Sequence, residues 1–289
     1  AIRCLAGMHL KPPSYRRYQR LAFMLIVLVG ATSCSTLETT EPLTSQSLLK
    51  VATPSQDSVT VDIFWARIPS GADEGLWDQV YEDRLAASVR RQLTSNGLRA
   101  GIVGRDTPDQ LLALLNPAGN KSLAASTTAS LVETGVRRRT KQLGPGQPVE
   151  LQASEMIDEV PLLISQQGEL SGETYERAQG IYVLQAQRKG DQQVQLQLRP
   201  EVRYGQEHLR FAPDETGMIS RGAMTRDALV LSDLAMEAQL EAGESLLVTS
   251  LPEVGSRLGS LFHVNAKTGE RKAILIRLAS ITTSRAFEE

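Results

Sequence analysis

The chain is 289 residues long, and its 31 Lys and Arg nearly balance its 33 Asp and Glu, for a formal charge of −2. Hydrophobic residues make up 41% and charged residues 22%, a composition typical of globular proteins that excludes wholesale disorder. A charge near zero gives no electrostatic reason to expect nucleic-acid binding. Two Cys and three His are too few for a disulfide framework or a Cys/His metal cluster.

A short apolar segment near the N-terminus has the layout of an export signal. Three arginines within residues 16–20 precede the apolar run Leu21–Ala31, and small residues follow it. Eleven helical residues rise only about 16 Å, which is too short to span a bilayer. The pattern therefore predicts a cleaved signal peptide. A start at Met8 would give it a normal length and would make residues 1–7 an extension.

The end of this segment, Ala31-Thr32-Ser33-Cys34, resembles the lipobox of bacterial lipoproteins. The resemblance implies removal of residues 1–33 and lipidation of Cys34, whose acyl chains anchor a protein by about 0.8 kcal/mol per buried CH₂. By the same resemblance, Ser35 implies the outer membrane of a diderm bacterium and a protein facing the periplasm. Cleavage removes five basic and no acidic residues, which leaves a charge of about −7. The alternative is a plain secretory signal and a secreted or periplasmic protein.

Composition and periodicity divide the rest of the chain into segments. The Ser/Thr/Pro-rich stretch 34–58 is predicted to be a tether. Within 59–116, a β-branched run, an amphipathic pattern over Leu76–Ser95, a second apolar run and a short helix predict a small β-α-β-α domain. We predict a flexible basic linker over 117–148, whose cluster Arg137-Arg138-Arg139 is a solvated face; the alternative is contact with an acidic surface or lipid headgroups. A β-rich domain over 149–280 and a tail over 281–289 complete the division.

Alternation of apolar and polar residues predicts antiparallel strands in the β-rich domain. Gly180–Arg188 and Gln192–Val202 flank a Lys-Gly-Asp turn and are predicted to form a hairpin. Val194 and the apolar residues at i+2 and i+4 point one way, and the glutamines between them point the other way. This glutamine face could border either bulk water or a polar lumen. Further strands are predicted at residues 149–152, 228–231, 236–240, 245–250 and 272–278.

Four pieces of the C-terminal third, in order, resemble the C-terminal part of bacterial secretins, the outer-membrane gate proteins of secretion and pilus systems. They are Val194–Val202 with its Pro-Glu-Val ending, Leu240–Val248 with its Gly-Glu turn, Ser256–Phe262 with Leu-Gly-Ser-Leu-Phe, and Lys272–Leu278. The long gate insertion and the ring-building domains of that family are missing, so the resemblance implies a secretin-like β-domain rather than a pore. The predicted fold class is therefore α+β, with the small β-α-β-α domain followed by a mainly antiparallel, secretin-like domain. The residues that we expect to serve interaction are Gly243, Glu244, Leu258, Gly259, Leu261 and Phe262.

No pattern of catalytic chemistry stands out in the sequence. There is no G-x-S-x-G nucleophile elbow and no Gly-rich phosphate loop. After cleavage the histidines are His208 and His263, and neither has a Cys or His at ligand spacing. We therefore predict a protein without enzymatic activity, cofactor or metal.

The predicted function is a structural or interaction role in the cell envelope, with attachment to an outer-membrane secretin-type assembly as its most specific form. The expected partners are the membrane, through Cys34, and either a second copy or another envelope protein, but not nucleic acid. One alternative is a lipoprotein that binds a small ligand or wall fragment through Trp65, Trp77 or Tyr81, although their spacing is typical of core aromatics. The other is a hydrolase in which one of the two histidines meets a carboxylate.

Overall fold

The computed structural model describes residues 58–69, 75–115, 136–213, 220–252 and 255–282, all of which belong to one unit, Thr53–Glu289. The predicted signal peptide, Cys34, nearly all of the predicted tether, residues 117–135 of the predicted linker and the end of the predicted tail lie outside the described residues. None of the described helices is long and apolar enough to cross a membrane.

The described residues form twelve strands and three α-helices. The strands are β1 (Val59–Ile68), β2 (Val80–Tyr81), β3 (Leu98–Val103), β4 (Arg137–Leu143), β5 (Val149–Gln152), β6 (Ile157–Gln166), β7 (Glu169–Arg188), β8 (Gln193–Pro213), β9 (Ser220–Val230), β10 (Met236–Glu241), β11 (Ser245–Ser250) and β12 (Arg271–Ile281). The helices are α1 (Ala87–Ser95), α2 (Asp109–Leu115) and α3 (Leu258–His263). Short 3₁₀ turns occur at Trp77–Gln79, Glu82–Arg84 and Ser232–Leu234.

The first sheet has the order β2-β3-β11-β12-β1-β4, and every neighbouring pair is antiparallel. Its central strands are apolar on both faces: Leu246, Leu247 and Val248 of β11 are all fully buried. One face packs against the second sheet, and the other packs against α2 and Trp77. Strands that are apolar on both faces are typical of the centre of a sheet that has another layer packed against each face.

This arrangement corrects the predicted fold class, which is wrong. The protein is mostly antiparallel β, and no separate β-α-β-α unit exists among the described residues. A β-α-β unit pairs its strands in parallel, whereas β1 and β3 are separated by β11 and β12, two strands from the C-terminal end of the chain. The sequence pattern of 59–115 identified strands and helices, but β4, β11 and β12, which pair with β1 and β3, come from other parts of the chain.

Two further expectations for this part of the chain also differ from the structure. Where Leu76–Ser95 was expected to form one helix, the chain makes two 3₁₀ turns and the short strand β2 before α1 begins at Ala87. Val80 of that short strand pairs with Val103 of β3. Where a flexible linker was expected, Arg137–Leu143 forms edge strand β4 beside β1. In both places tertiary hydrogen bonding overrides the local composition.

The second sheet is built on the long hairpin of β7 and β8, which pair from Arg188/Val194 to Gln179/Arg203. β5 and β6 lie end to end along β7, while β10 and β9 lie end to end along β8. As predicted, Val194 and the alternate apolar residues after it are fully buried, between the two sheets. The helix α3 packs against β7, β11 and β12, and so contacts both sheets.

Candidate functional site

The outer part of β8 and β9 forms an exposed two-stranded ribbon. The β8–β9 register breaks between Tyr204 and His208, where Gly205 adopts φ 74°, a left-handed backbone that glycine tolerates best. Within the described residues, β7 pairs with β8 only as far as Arg203. Beyond the break, Gln206–Phe211 are all exposed. Below, the distal hairpin means residues 206–213 together with residues 220–225.

One face of the distal hairpin is apolar. Leu209 lies opposite Met224, and Phe211 lies opposite Gly222, so all four share one face of the ribbon. The exposed fractions of Leu209, Phe211 and Met224 are 54%, 64% and 62%. A Cβ on Gly222 would lie 3.1 Å from side-chain atoms of both Leu209 and Phe211, because these side chains lean across the glycine. Large exposed apolar residues gathered on one face indicate an interaction surface more than scattered ones do.

The base of the distal hairpin is held firmly. Arg226 donates hydrogen bonds to Gln179 Oε1 at 2.6 Å and to the Arg177 carbonyl oxygen at 3.1 Å. Tyr204 packs edge-on against Tyr175, with ring centroids 4.9 Å apart. Burial, together with a hydrogen bond to Glu173, raises the pKa of Tyr175 to about 12, so its hydroxyl stays protonated as a donor. These contacts hold the base of the distal hairpin against β7.

Sequence reasoning missed this surface, because the predicted strand ends at Val202 while the observed strand continues to Pro213. A usable signal was present: the alternation of polar and apolar residues resumes at His208-Leu209-Arg210-Phe211.

The predicted interaction residues of α3 lie inside the molecule. Leu258, Gly259, Leu261 and Phe262 are all buried. The Phe262 ring packs on Tyr182, with centroids 4.9 Å apart, and a Cβ on Gly180 would lie 3.0 Å from that ring. Their role in interaction stays a prediction. What the structure shows for them is packing between the two sheets.

Gly243 and Glu244 form the turn between β10 and β11, but this turn does not close a hairpin. β10 pairs with β8 in the second sheet, and β11 lies in the first sheet, so the turn carries the chain from one sheet to the other. Gly243 has φ 94°. Burial alone would raise the pKa of Glu244, but hydrogen bonds from Arg84, at 2.6 Å, and from the Glu241 amide lower it. The ion pair between Arg84 and Glu244 thus holds the turn in place.

The two described histidines, His263 and His208, have opposite surroundings. His263 is fully buried; its Nδ1 lies 3.0 Å from the Lys272 carbonyl oxygen and its Nε2 lies 2.8 Å from the Tyr182 hydroxyl. Burial lowers the pKa of His263 to about 3 and raises that of Tyr182, so the neutral ring donates a hydrogen bond through Nδ1 and accepts one from the tyrosine hydroxyl at Nε2. His208 is exposed, with Nε2 3.9 Å from the exposed Asp227 carboxylate. Among the residues that the structure describes, no cluster of three His, Cys, Asp or Glu side chains could hold a metal ion.

The three aromatic residues weighed as a ligand site are not brought together as one surface. Trp77 is only 8% exposed and has the Arg99 guanidinium 4.1 Å from its ring centroid. Tyr81 is exposed on the edge strand β2. Trp65 is half-buried at the rim between the sheets and donates its Nε1–H to the Gln152 carbonyl oxygen at 3.1 Å.

No family model matches the sequence, and no curated protein matches it at a significant level. Function therefore has to be inferred from the geometry of the described residues.

Proposed function

We propose that this protein is a lipid-anchored component of the bacterial cell envelope that works by self-association through its distal hairpin. The observation that carries the proposal is the exposed apolar face of Leu209, Phe211 and Met224 on a ribbon of two strands. An isolated two-stranded hairpin is marginally stable in water, and three or more strands or a packed face are needed for independent stability. A partner that covers this face would supply what the ribbon lacks.

A second copy of the chain is the partner that best fits the chemistry. Two hairpins stacked face to face would bury the same three side chains of each copy, as a two-fold interface requires. The opposite face, with His208 and Arg210, would remain in water. Both edges of the ribbon also present backbone groups that can pair with an added strand.

The expected association is weak in solution and stronger on a membrane. Burying the exposed part of each apolar side chain contributes on the order of 1–2 kcal/mol, while association costs roughly 4–15 kcal/mol in lost translational and rotational freedom. Anchoring at Cys34 would raise the effective concentration of neighbouring copies without adding contacts. The lipobox-like Ala31-Thr32-Ser33-Cys34 supports the anchor, and 24 residues separate Cys34 from the first described strand.

The test of association is the mass of the full-length protein after amine-reactive crosslinking in intact membranes, measured by denaturing electrophoresis. We expect wild type to exceed the monomer mass and the double variant Leu209→Ser/Phe211→Ser to be monomeric. Leu170→Ser is the matched control, because Leu170 is 62% exposed on the separate β6–β7 hairpin. A monomeric wild type, or a double variant of unchanged size, would overturn the proposal.

Copurification of a different envelope chain, lost in the double variant, would replace the second copy by an unlike partner. The four secretin-like sequence pieces make a secretin-type outer-membrane assembly the first such partner to look for.

The anchor is tested separately with Cys34→Ala, which should move the protein from the membrane pellet to the soluble fraction. Full retention of this variant in the pellet would refute lipidation at Cys34.

A further inference from the structure

A basic cleft opens beside Trp65, at the rim between the two sheets. The hydrogen bond from Trp65 to Gln152 holds the indole in place. The cleft has a volume of about 200 Å³, and its charged lining residues are Arg67, Arg137, Glu270, Arg271 and Lys272. These residues come from three strands and one turn, so only the folded chain brings them together.

The charges that line the basic cleft are not balanced. Among the described lining residues four are positive and one is negative, in a chain whose formal charge is −2. The carboxylate among them, Glu270, is paired with Arg67 at 2.9 Å. The Arg137 guanidinium lies 5.3 Å from the Trp65 ring centroid, which places its charge over the wall of the cleft. A concave site with excess positive charge attracts and concentrates anions.

A second cavity of about 220 Å³ shares two lining residues with the basic cleft, Asn265 and Lys272. Its apolar lining includes Met156, Ile157 and Val264. Its charged residues balance: Lys267 and Lys272 face the same cavity as two carboxylates, Glu155 and Asp158. An anion is therefore favoured in the basic cleft, and an apolar group is favoured in this adjoining cavity.

Lys272 stands at the junction on a rigid support. Its carbonyl oxygen accepts hydrogen bonds from His263 Nδ1 and from Thr249 Oγ1, both at 3.0 Å, so buried groups hold its backbone. Burial lowers the pKa of Lys272, an effect that the nearby Glu155 partly opposes. Desolvation destabilises the charged form of a half-buried ammonium group, and an anion placed against it stabilises that form.

We propose that the two cavities form one binding site for a small organic anion, with its carboxylate or phosphate group held by Arg137 and Lys272. The apolar part of the ligand lies against Met156, Ile157 and Val264. Together the two cavities reach the lower range of small-ligand pockets, which are typically about 300–1,000 Å³. This site is separate from the distal hairpin, and its failure would leave the proposed self-association standing.

The sequence contains two tryptophans, so Trp77→Phe leaves Trp65 as the single indole and its fluorescence as a reporter of the basic cleft. The probes are phenyl phosphate and benzoate, with inorganic phosphate to test the anion alone and benzyl alcohol as the neutral analogue. Vesicles of phosphatidylglycerol, against phosphatidylcholine, test whether the anion belongs to a lipid headgroup. Calorimetry on the wild-type chain repeats each titration without the Trp77 substitution.

We expect saturable binding of phenyl phosphate or benzoate, weaker binding of inorganic phosphate and none of benzyl alcohol. Lys272→Met and Arg137→Gln should each weaken binding at least tenfold. Arg139→Gln removes the same charge from the same strand without lining the basic cleft, and should change affinity less than twofold. A response to phosphatidylglycerol vesicles alone, lost in Lys272→Met, would assign the anion to a lipid headgroup. Absence of any saturable response, or equal loss in Arg139→Gln, would overturn the proposal.

Discussion

The two ends of β8 carry the same alternating pattern but have opposite surroundings. Near its start, Val194, Leu196 and Leu198 are fully buried between the sheets. Near its end, Leu209 and Phe211 are more than half exposed. The difference arises because the first sheet packs against the first half of β8, whereas Leu209 and Phe211 lie beyond the part of β8 that pairs with β7. An alternating strand specifies that one face is apolar, but the neighbouring elements decide whether the same chain or another molecule covers it.

The comparison can be tested with pairs of identical residues, one in or beside α3 and one on the distal hairpin. Phe262 and Phe211 should differ most. Phe262→Ala removes a fully buried ring and should lower the free energy of unfolding by about 3–5 kcal/mol. Phe211→Ala removes a ring that is 64% exposed and should change monomer stability by less than about 0.5 kcal/mol. Urea unfolding of dilute protein, followed by circular dichroism, measures both; equal losses would show that the distal hairpin is covered within the monomer.

His263 and His208 form the second pair, compared by acid sensitivity. The folded pKa of His263 is about 3, against 6.5 for a free histidine, so the unfolded state binds more protons between these values. Stability is therefore present above pH 6.5 and is lost as pH falls toward 3, by about 2 kcal/mol between pH 7.5 and pH 5.

Replacing His263 by Gln should remove most of this slope, although the variant is less stable at neutral pH because a flexible amide does not replace both hydrogen bonds of the ring, to Tyr182 and to the Lys272 carbonyl oxygen. His208→Gln changes an exposed residue and should keep the wild-type slope. Unfolding midpoints measured at several pH values give both slopes. If His263→Gln retains the full slope, the acid sensitivity arises elsewhere.

The third pair is Gly180 and Gly222, where the expected effects are smallest. A Cβ on Gly180 would lie 3.0 Å from the Phe262 ring, which is fully buried and packed on Tyr182, so Gly180→Ala should cost about 1–2 kcal/mol. A Cβ on Gly222 would meet Leu209 and Phe211 at 3.1 Å, but both side chains can turn into solvent. Gly222→Ala should be neutral within about 0.5 kcal/mol. Thermal unfolding resolves the two, and a large loss for Gly222→Ala would mean that the apolar face of the distal hairpin is rigidly packed.

Much of the local structure was readable from the sequence. The predicted strands at 149–152, 236–240 and 245–250 match β5, β10 and β11 to within a residue, because alternation and β-branched residues mark them directly. The helix predicted over Leu76–Ser95 was wrong in its first half, where Leu76, Trp77 and Val80 instead pack in the core beneath the first sheet and Tyr81 is exposed. For the candidate surfaces, the sequence pointed to Leu258–Phe262, but a run of apolar residues looks the same whether a core or a partner will cover it.

The sequence by itself determined where the apolar residues lie, most of the strand positions and the prediction of an exported, lipid-anchored chain. The tertiary structure decided which strands pair, because hydrogen bonding between strands is not local and a central strand takes whichever neighbours bury both its faces. It placed β1 beside β12, buried α3 and left the distal hairpin exposed. It also gathered Trp65, Arg137 and Lys272 around one cleft, although more than 200 positions separate the first from the last.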